Sequence, residues 1–328
     1  VPKVAILGAG SLGTALALAL PRRDRTLILW SIEPEVVQGL KRSRENQKYL
    51  PGFVLSPAVH CTLDLAEALD DADAALLTVP SYAVREVARQ VVKLVPDRAV
   101  LVCAAKGLEE GTWLRMTQVI RQELPPDLPV PVVAMSGPCL AAEIARGSAS
   151  AVDAACESIQ AARKARHLIA TPRFLMKPTA DVAGVEAGGT FKNAYAVGAG
   201  IGEGLGWGMN ERASFLTRAL GEMARLASVL GARRATIYGL SGLGDLAVTS
   251  FSPHSRNRKI GEELARGRPL REILAGLVSV AEGIAAARSA HTIAQQYHLR
   301  LPIAAALDAI LHDGAEPKSL EKALTGGR

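Results

Sequence analysis

Short apolar runs alternate with amphipathic stretches through the first half of this chain. Val4–Gly8 and Thr26–Trp30 are continuous apolar runs that predict buried strands, and Leu12–Leu20 between them predicts a helix. Pro34–Lys41 reads as a helix with proline in its first turn. A loop follows through Asn46, Tyr49 and Pro51–Gly52. Strands are then expected at Ala74–Val79, Ala99–Cys103 and Val132–Ser136, with helices at about Ser81–Leu94 and Thr112–Leu124. Ser148–Ala155 and Arg173–Met176 are candidates to extend the sheet. Strands this short and this apolar, separated by helices, predict βαβ units: an α/β fold with a doubly wound parallel sheet covered on both faces.

From about Asp181 the pattern changes to long Ala-rich stretches of helical period. These are Val182–Gly204, Asn210–Leu230, Glu282–Tyr297 and Ile303–His312. Gly231 and Gly267 follow helical runs, where glycine ends a helix readily. The expectation is two domains, 1–179 built on the parallel sheet and an all-helical 180–328, with the boundary near Thr179. A length of 328 residues suits two cores better than one. Aromatics make up only 4% of the chain against 49% hydrophobic residues overall, so aliphatic side chains and alanine must fill those cores. The apolar run Val4–Leu20, preceded by Lys3, could pass for a signal peptide. Gly8, Gly10 and Gly13 interrupt it, so strand, turn and helix describe it better. No segment reaches ~18 uninterrupted apolar residues, so the chain is not expected to be membrane-embedded.

The net charge of +6 raises nucleic-acid binding, but basic residues are dispersed among acidic ones without a basic tail or stripe. No nucleic-acid partner is expected; a mild positive balance also suits an anionic small substrate. Four cysteines (Cys61, Cys103, Cys139, Cys156) stand far apart and six histidines lack ligand spacing. Neither a metal site nor a disulfide framework is expected, in keeping with a reducing cytoplasm.

The strongest local signal is Gly8-Ala9-Gly10-Ser11-Leu12-Gly13, which follows a strand and opens a helix. In that context the first glycine permits a tight turn and the second lets a pyrophosphate approach the backbone. The third allows close helix–strand packing, with the helix N-terminus facing the phosphates. This makes the first domain Rossmann-type and implies a dinucleotide; an ordinary glycine turn is the bland alternative.

A dinucleotide fold does not define a reaction, and the helical half carries three further clusters. In Gly188-Gly189-Thr190-Phe191-Lys192-Asn193, both glycines share a helical face with Lys192. Two glycines in a helix interior cost roughly 1 kcal/mol each, so a backbone or a ligand must approach that face. Alternatively, the face packs on a helix and Lys192 snorkels to solvent. Gly239-Leu240-Ser241-Gly242-Leu243-Gly244-Asp245-Leu246, with Thr249 one turn later, reads as a turn that delivers Asp245, or as a plain Asp245 N-cap. Ser255-Arg256-Asn257-Arg258-Lys259 opens an amphipathic stretch with Ser255 as N-cap. Three cations there oppose the helix dipole, which points to an anionic guest, Arg256 being suited to phosphate.

Together these residues identify a resemblance. GAGSLGTALA from Gly8, YLPG at Tyr49, VPS at Val79, KGLE at Lys106 and SGP at Ser136 resemble the bacterial-type NAD(P)-dependent sn-glycerol-3-phosphate dehydrogenases. GVEAGGTFKN at Gly184, GLSGLGDL at Gly239, SRNR at Ser255 and EG at Glu282 continue that likeness nearly end to end. The resemblance implies reduction of dihydroxyacetone phosphate to sn-glycerol 3-phosphate. It gives Lys192 the role of proton donor to the carbonyl, Lys106 a place beside nicotinamide and substrate, and Asp245 membership of their polar cluster. Ser255, Arg256 and Asn257 match the substrate-phosphate site, Arg256 also lying near the cofactor. Gly137, Cys139, Ala141, Val280 and Glu282 match further substrate or cofactor contacts, and Gly8, Gly10, Ser11, Leu12 and Gly13 the glycine loop. A lysine among cations or partly buried is expected to have a lowered pKa, useful for proton transfer near neutrality. The family also implies a homodimer, a cytoplasmic location and a place at the start of glycerophospholipid synthesis.

Three departures stand out: Cys139 where the family usually has Ser or Thr, Leu12 for an aromatic, and Ser31-Ile32-Glu33 where Arg or His is common. Glu33 stands twenty positions after Gly13, the spacing of an acid that meets the ribose 2′-hydroxyl of NAD. No cation occurs between Trp30 and Lys41, unless Arg22 or Arg23 reaches across, so NADH is expected to serve at least as well as NADPH. Glu33 merely supporting the Pro34 helix is the alternative. Two other functions compete: a β-hydroxyacid dehydrogenase of the same two-domain plan acting on a carboxylate, and a non-catalytic dinucleotide sensor.

Overall fold

A computed structural model describes residues 1–21, 24–277 and 281–325. The strands are β1 (Lys3–Leu7), β2 (Thr26–Trp30), β3 (Glu45–Asn46), β4 (Leu50–Val54) and β5 (Val59–Thr62). They continue with β6 (Ala74–Leu77), β7 (Val100–Cys103), β8 (Val132–Ser136), β9 (Ser150–Ala155) and β10 (Phe174–Thr179). Eight of them form one sheet in the order β10-β9-β8-β7-β6-β1-β2-β5, and β3 pairs with β4 in a separate antiparallel hairpin. All pairings in the large sheet are parallel except β8 with β9.

The apolar runs are strands because both faces of the sheet are covered. Val4 and Ile6 of β1 enter one buried cluster, while Ala5 and Leu7 enter the other. Leu27 and Leu29 divide from Ile28 and Trp30 in the same way, as the two-residue period of a strand requires. Two cores on one sheet explain why these strands show no polar alternation.

The chain folds as two compact units: Val1–Ala105 with Leu114–Val182, and Lys106–Trp113 with Ala183–Arg328. Lys106–Trp113, although it follows β7, thus belongs to the helical unit. The helix expected from Thr112 starts only at Met116. Trp113 interrupts it with φ 58, and the Gln118 side chain accepts from the Arg115 N–H at the true start. The loop through Asn46 and Pro51 is the β3–β4 hairpin, which the proline and glycine of β4 hide from a pattern reading, and β5 is a further strand.

In the helical unit the Val182–Gly204 helix is buried on nearly every side from Gly184 to Gly202, as an apolar helix without a polar face must be. Phe191, Tyr195, Val197 and Ile201 anchor its core with Phe215 and Met223 of the Met209–Val229 helix. Glu222 closes one end of this core. Its carboxylate accepts from the N–H groups of Ile303 and Ala304, both at 2.9 Å, and from the Tyr195 hydroxyl at 3.1 Å. These donors open the Pro302–His312 helix, so a buried acid caps that helix from a neighbour. Among the described residues no helix is long and apolar enough to cross a membrane, and no group of His, Cys, Asp and Glu could hold a metal ion.

Candidate active site

In the sheet unit the glycine turn lies where β1, β2 and β6 end side by side, with Leu7 level with Trp30 and Leu77. The Gly8 N–H donates to the Trp30 carbonyl at 3.0 Å, and the Thr78 hydroxyl donates to the Gly8 carbonyl at 2.8 Å. Gly8 has φ 117, on the left-handed side that favours glycine. A Cβ on Gly13 would stand 1.9 Å from the Gly8 carbonyl oxygen, so the Ser11–Ala19 helix reaches the strand only through a glycine. A Cβ on Gly10 would meet nothing within 4 Å, which leaves the space above the turn clear. A turn closed by Gly8 and Gly13 and open above Gly10 fits a pyrophosphate at a helix N-terminus.

The other predicted cofactor residues of this unit surround that turn. The Ser11 hydroxyl donates to the Tyr49 carbonyl at 2.8 Å, and Leu12 packs on the core. The buried Ser31 directly follows β2, and its hydroxyl accepts from the Glu33 N–H at 3.2 Å. The Glu33 carboxylate accepts from the Tyr49 hydroxyl at 2.8 Å and pairs with Lys48. The segment between Trp30 and Lys41 holds no cation, yet Lys48 supplies one to Glu33 from outside it. Lys48 comes back to Glu33 through the β3–β4 hairpin. Gly137 leaves β8 with φ 151, and a Cβ there would stand 2.8 Å from the Val152 Cα. Half-buried Cys139 and Ala141 follow on the way into the Ala141–Ala145 helix. Arg22, Arg23 and Val280 lie outside the described residues.

In the helical unit three residues far apart in sequence converge. Lys106 Nζ stands 2.6 Å from Asp245 Oδ2, and Lys192 Nζ 3.0 Å from Asp245 Oδ1. Lys192 Nζ also donates to the Thr249 hydroxyl at 2.6 Å, which donates in turn to the Asp245 carbonyl at 2.6 Å. Asp245 is 2% exposed and Lys192 6%. Burial alone would push the Asp245 carboxyl up, but the Lys106 and Lys192 charges outweigh it and hold the carboxyl below the usual aspartate range. The sequence expectation for Lys192 counted only burial and neighbouring cations. The structure adds a carboxylate, whose Oδ1 lies 3.0 Å from the Lys192 Nζ.

Local sequence explains the convergence. A Cβ on Gly188 would stand 2.6 Å from the Ser241 carbonyl oxygen, so the Val182–Gly204 helix meets the π-helical turn Leu240–Gly244 backbone to side. It is a backbone that approaches this face, while Lys192 stays buried rather than snorkelling. The turn runs directly into the Asp245–Phe251 helix. Asp245 is the first residue of that helix, Gly244 holds the cap position, and the carboxylate faces the lysines. Thr249 lies one turn on, on the same face; that i, i+4 spacing was the signal for a role the sequence reading left unassigned.

Ser255 caps the Arg256–Ala265 helix, its hydroxyl accepting from the Arg258 N–H at 3.2 Å. Arg258 pairs with Glu203 and Glu262, at 3.5 and 3.3 Å, so its charge is met within the protein. Desolvation draws the Arg256 guanidinium below its usual range and the Glu282 charge opposes this, although part of the side chain remains open to solvent. Glu282 begins the Glu282–Gln296 helix. The Asn257 side chain is satisfied inside the protein: its Nδ2 donates to Asn193 Oδ1 at 2.9 Å and its Oδ1 accepts from the Gly283 N–H at 3.1 Å.

A glycine turn on a parallel sheet, with a buried lysine–carboxylate–lysine cluster in a helical unit, defines a dinucleotide-dependent oxidoreductase of two-domain plan. The chain belongs to the NAD-dependent glycerol-3-phosphate dehydrogenase family. The model of that family's N-terminus matches residues 3–162 and that of its C-terminus residues 181–322. The chain is 40% identical over 327 residues to glycerol-3-phosphate dehydrogenase [NAD(P)+] of Pelotomaculum thermopropionicum, covering 99% of this chain and 94% of that protein. It is 37% identical over 322 residues to the enzyme of that name from Bacillus subtilis, covering 98% and 93%. The crystal structure of glycerol-3-phosphate dehydrogenase from Coxiella burnetii superposes with a TM-score of 0.90 at 34% identity, over 99% of this chain and 98% of that one.

Proposed function

We propose that this chain catalyses reversible hydride transfer between NAD(P)H and dihydroxyacetone phosphate, giving sn-glycerol 3-phosphate. The observation that carries the chemistry is the buried Asp245 carboxylate shared by Lys106 and Lys192. The sheet unit, with Gly8, Gly10, Ser11, Leu12, Gly13, Ser31, Glu33 and Ala141, is the dinucleotide-binding domain; the helical unit is the substrate and catalytic domain. Bound nicotinamide supplies the hydride to C2 of the ketone.

Lys192 gives a proton to the carbonyl oxygen, and its charge steadies the alkoxide that develops there. Asp245 and Thr249 fix the Lys192 head group, so its direction is set before substrate arrives. Lys106, held on the other carboxylate oxygen, adds a second positive charge beside the reacting carbonyl. The family resemblance adds Gly137 and Cys139 to the substrate-contact residues. The Arg256–Ala265 helix receives the phosphate at its N-terminus, through Arg256 and the main-chain N–H of Asn257, with Ser255 shaping that end. Arg256 and Glu282, with Val280, also serve the cofactor.

Replacing Arg256 by alanine tests the phosphate assignment. A charge-assisted contact of about 1.5–3 kcal/mol corresponds to a loss of roughly 10–100-fold in kcat/KM for dihydroxyacetone phosphate. Unphosphorylated dihydroxyacetone should lose little. Equal losses for both ketones, with dinucleotide affinity measured alongside, would remove Arg256 from the phosphate site. Family membership extends the proposal to a homodimer in the cytoplasm, without a nucleic-acid partner, that supplies glycerophospholipid synthesis.

A further inference from the structure

The β3–β4 hairpin is fastened to the glycine turn from several sides. Asn46 Nδ2 donates to the Ala9 carbonyl at 2.7 Å and to the Thr14 hydroxyl oxygen at 2.8 Å, and its Oδ1 accepts from the Tyr49 N–H at 3.1 Å. The Ser11 hydroxyl holds the Tyr49 carbonyl. This fixes Lys48 at the end of β2. Its ammonium pairs with Glu33, lies 3.2 Å from Glu35 Oε1, and stands 5.1 Å from the centre of the Tyr49 ring. In a fold of this type the acidic residue after the second strand meets the adenosine ribose, and a cation there meets a 2′-phosphate. Here one position carries both.

We propose that Glu33 and Lys48 form a paired reader of the ribose 2′-position, Glu33 accepting from the 2′-hydroxyl of NAD(H) and Lys48 turning to the 2′-phosphate of NADP(H). The inference rests on the reading of the glycine turn as the dinucleotide site. Both side chains are partly solvent-exposed, at 41% for Lys48 and 28% for Glu33. An ion pair so placed is worth little in water, so a ligand can take either member. Tyr49 keeps Glu33 in place when Lys48 leaves, since its hydroxyl binds the other carboxylate oxygen. Glu35 adds a second negative charge beside Lys48, so the site tolerates a 2′-phosphate without favouring it. The intact chain should therefore bind both reduced dinucleotides, NADH at least as tightly as NADPH, with dissociation constants within about tenfold.

Titration of nicotinamide fluorescence in the full-length chain tests this without turnover. Lys48→Ala is expected to weaken NADPH about tenfold or more and NADH less than threefold, while Lys48→Arg retains NADPH. Glu33→Gln is expected to weaken NADH and to tighten NADPH, because it removes a repelling charge and releases Lys48. Equal weakening of both dinucleotides by Lys48→Ala, or no change for NADPH, overturns the inference while leaving the glycine turn intact as the dinucleotide site. A wild-type chain that binds neither dinucleotide overturns the parent reading and this one with it.

Discussion

Lys192→Met is expected to lower turnover with dihydroxyacetone phosphate by about 10²–10⁴ while dinucleotide affinity stays nearly unchanged. Methionine fills nearly the volume of the lysine stem, so the closely packed Val182–Gly204 helix should fold as before. What disappears is the ammonium that Asp245 Oδ1 and Thr249 hold at 3.0 and 2.6 Å. On the proposed mechanism the proton for the alkoxide and the charge that steadies it go too, so the loss is expected to fall on kcat. Steady-state kinetics and cofactor titration on one preparation separate these effects. A variant that keeps more than about a tenth of normal turnover would place the proton donor elsewhere.

Asp245→Asn should damage stability and catalysis together. The amide has nearly the shape of the carboxylate but no charge, and it leaves two ammonium groups facing each other across a buried oxygen. Removing one partner of a buried ion pair typically costs about 3–5 kcal/mol. Turnover should fall by about 10² or more, because Lys192 loses the group that aims it. The pH dependence has a definite sign. The folded carboxyl is held below its ordinary range, so its stabilisation is complete above that range and is lost as pH falls through the lower folded value. The difference in thermal midpoint between wild type and Asp245→Asn should therefore be widest near neutrality and shrink in strong acid. A constant difference across pH would mean that the folded carboxyl titrates normally.

The sheet was readable because its strands are apolar on both faces: the Thr26–Trp30 and Val132–Ser136 runs are strands from end to end. The Val182–Gly204 helix was equally plain, since Ala and Gly allow it to be buried all round. β5 was hidden because it is short and carries the exposed His60 among apolar neighbours. The reactive cluster could not be built from local pattern, because Lys106 and Asp245 lie 139 positions apart; only the resemblance grouped them. Local reading did isolate the glycine-flanked Lys192 and the turn before Asp245, and those glycines mark where the two segments touch. Lys48, fifteen positions after Glu33, escaped the sequence reading of the ribose end because a hairpin rather than a helix period brings the two together.

The central claim is that this pairing of a dinucleotide fold with the Lys106–Asp245–Lys192 cluster reduces a phosphorylated ketone. Oxidation of NADH, followed by absorbance with the purified chain, tests it when dihydroxyacetone phosphate, dihydroxyacetone and a short 2-keto acid are compared at equal concentration. The expected result is rapid oxidation with dihydroxyacetone phosphate, at a kcat/KM at least ~10-fold above dihydroxyacetone, in line with one charge-assisted phosphate contact, and none above background with the keto acid. Oxidation driven by the keto acid and not by dihydroxyacetone phosphate would contradict the account, and a chain that binds NADH yet oxidises it with none of the three would make it a sensor.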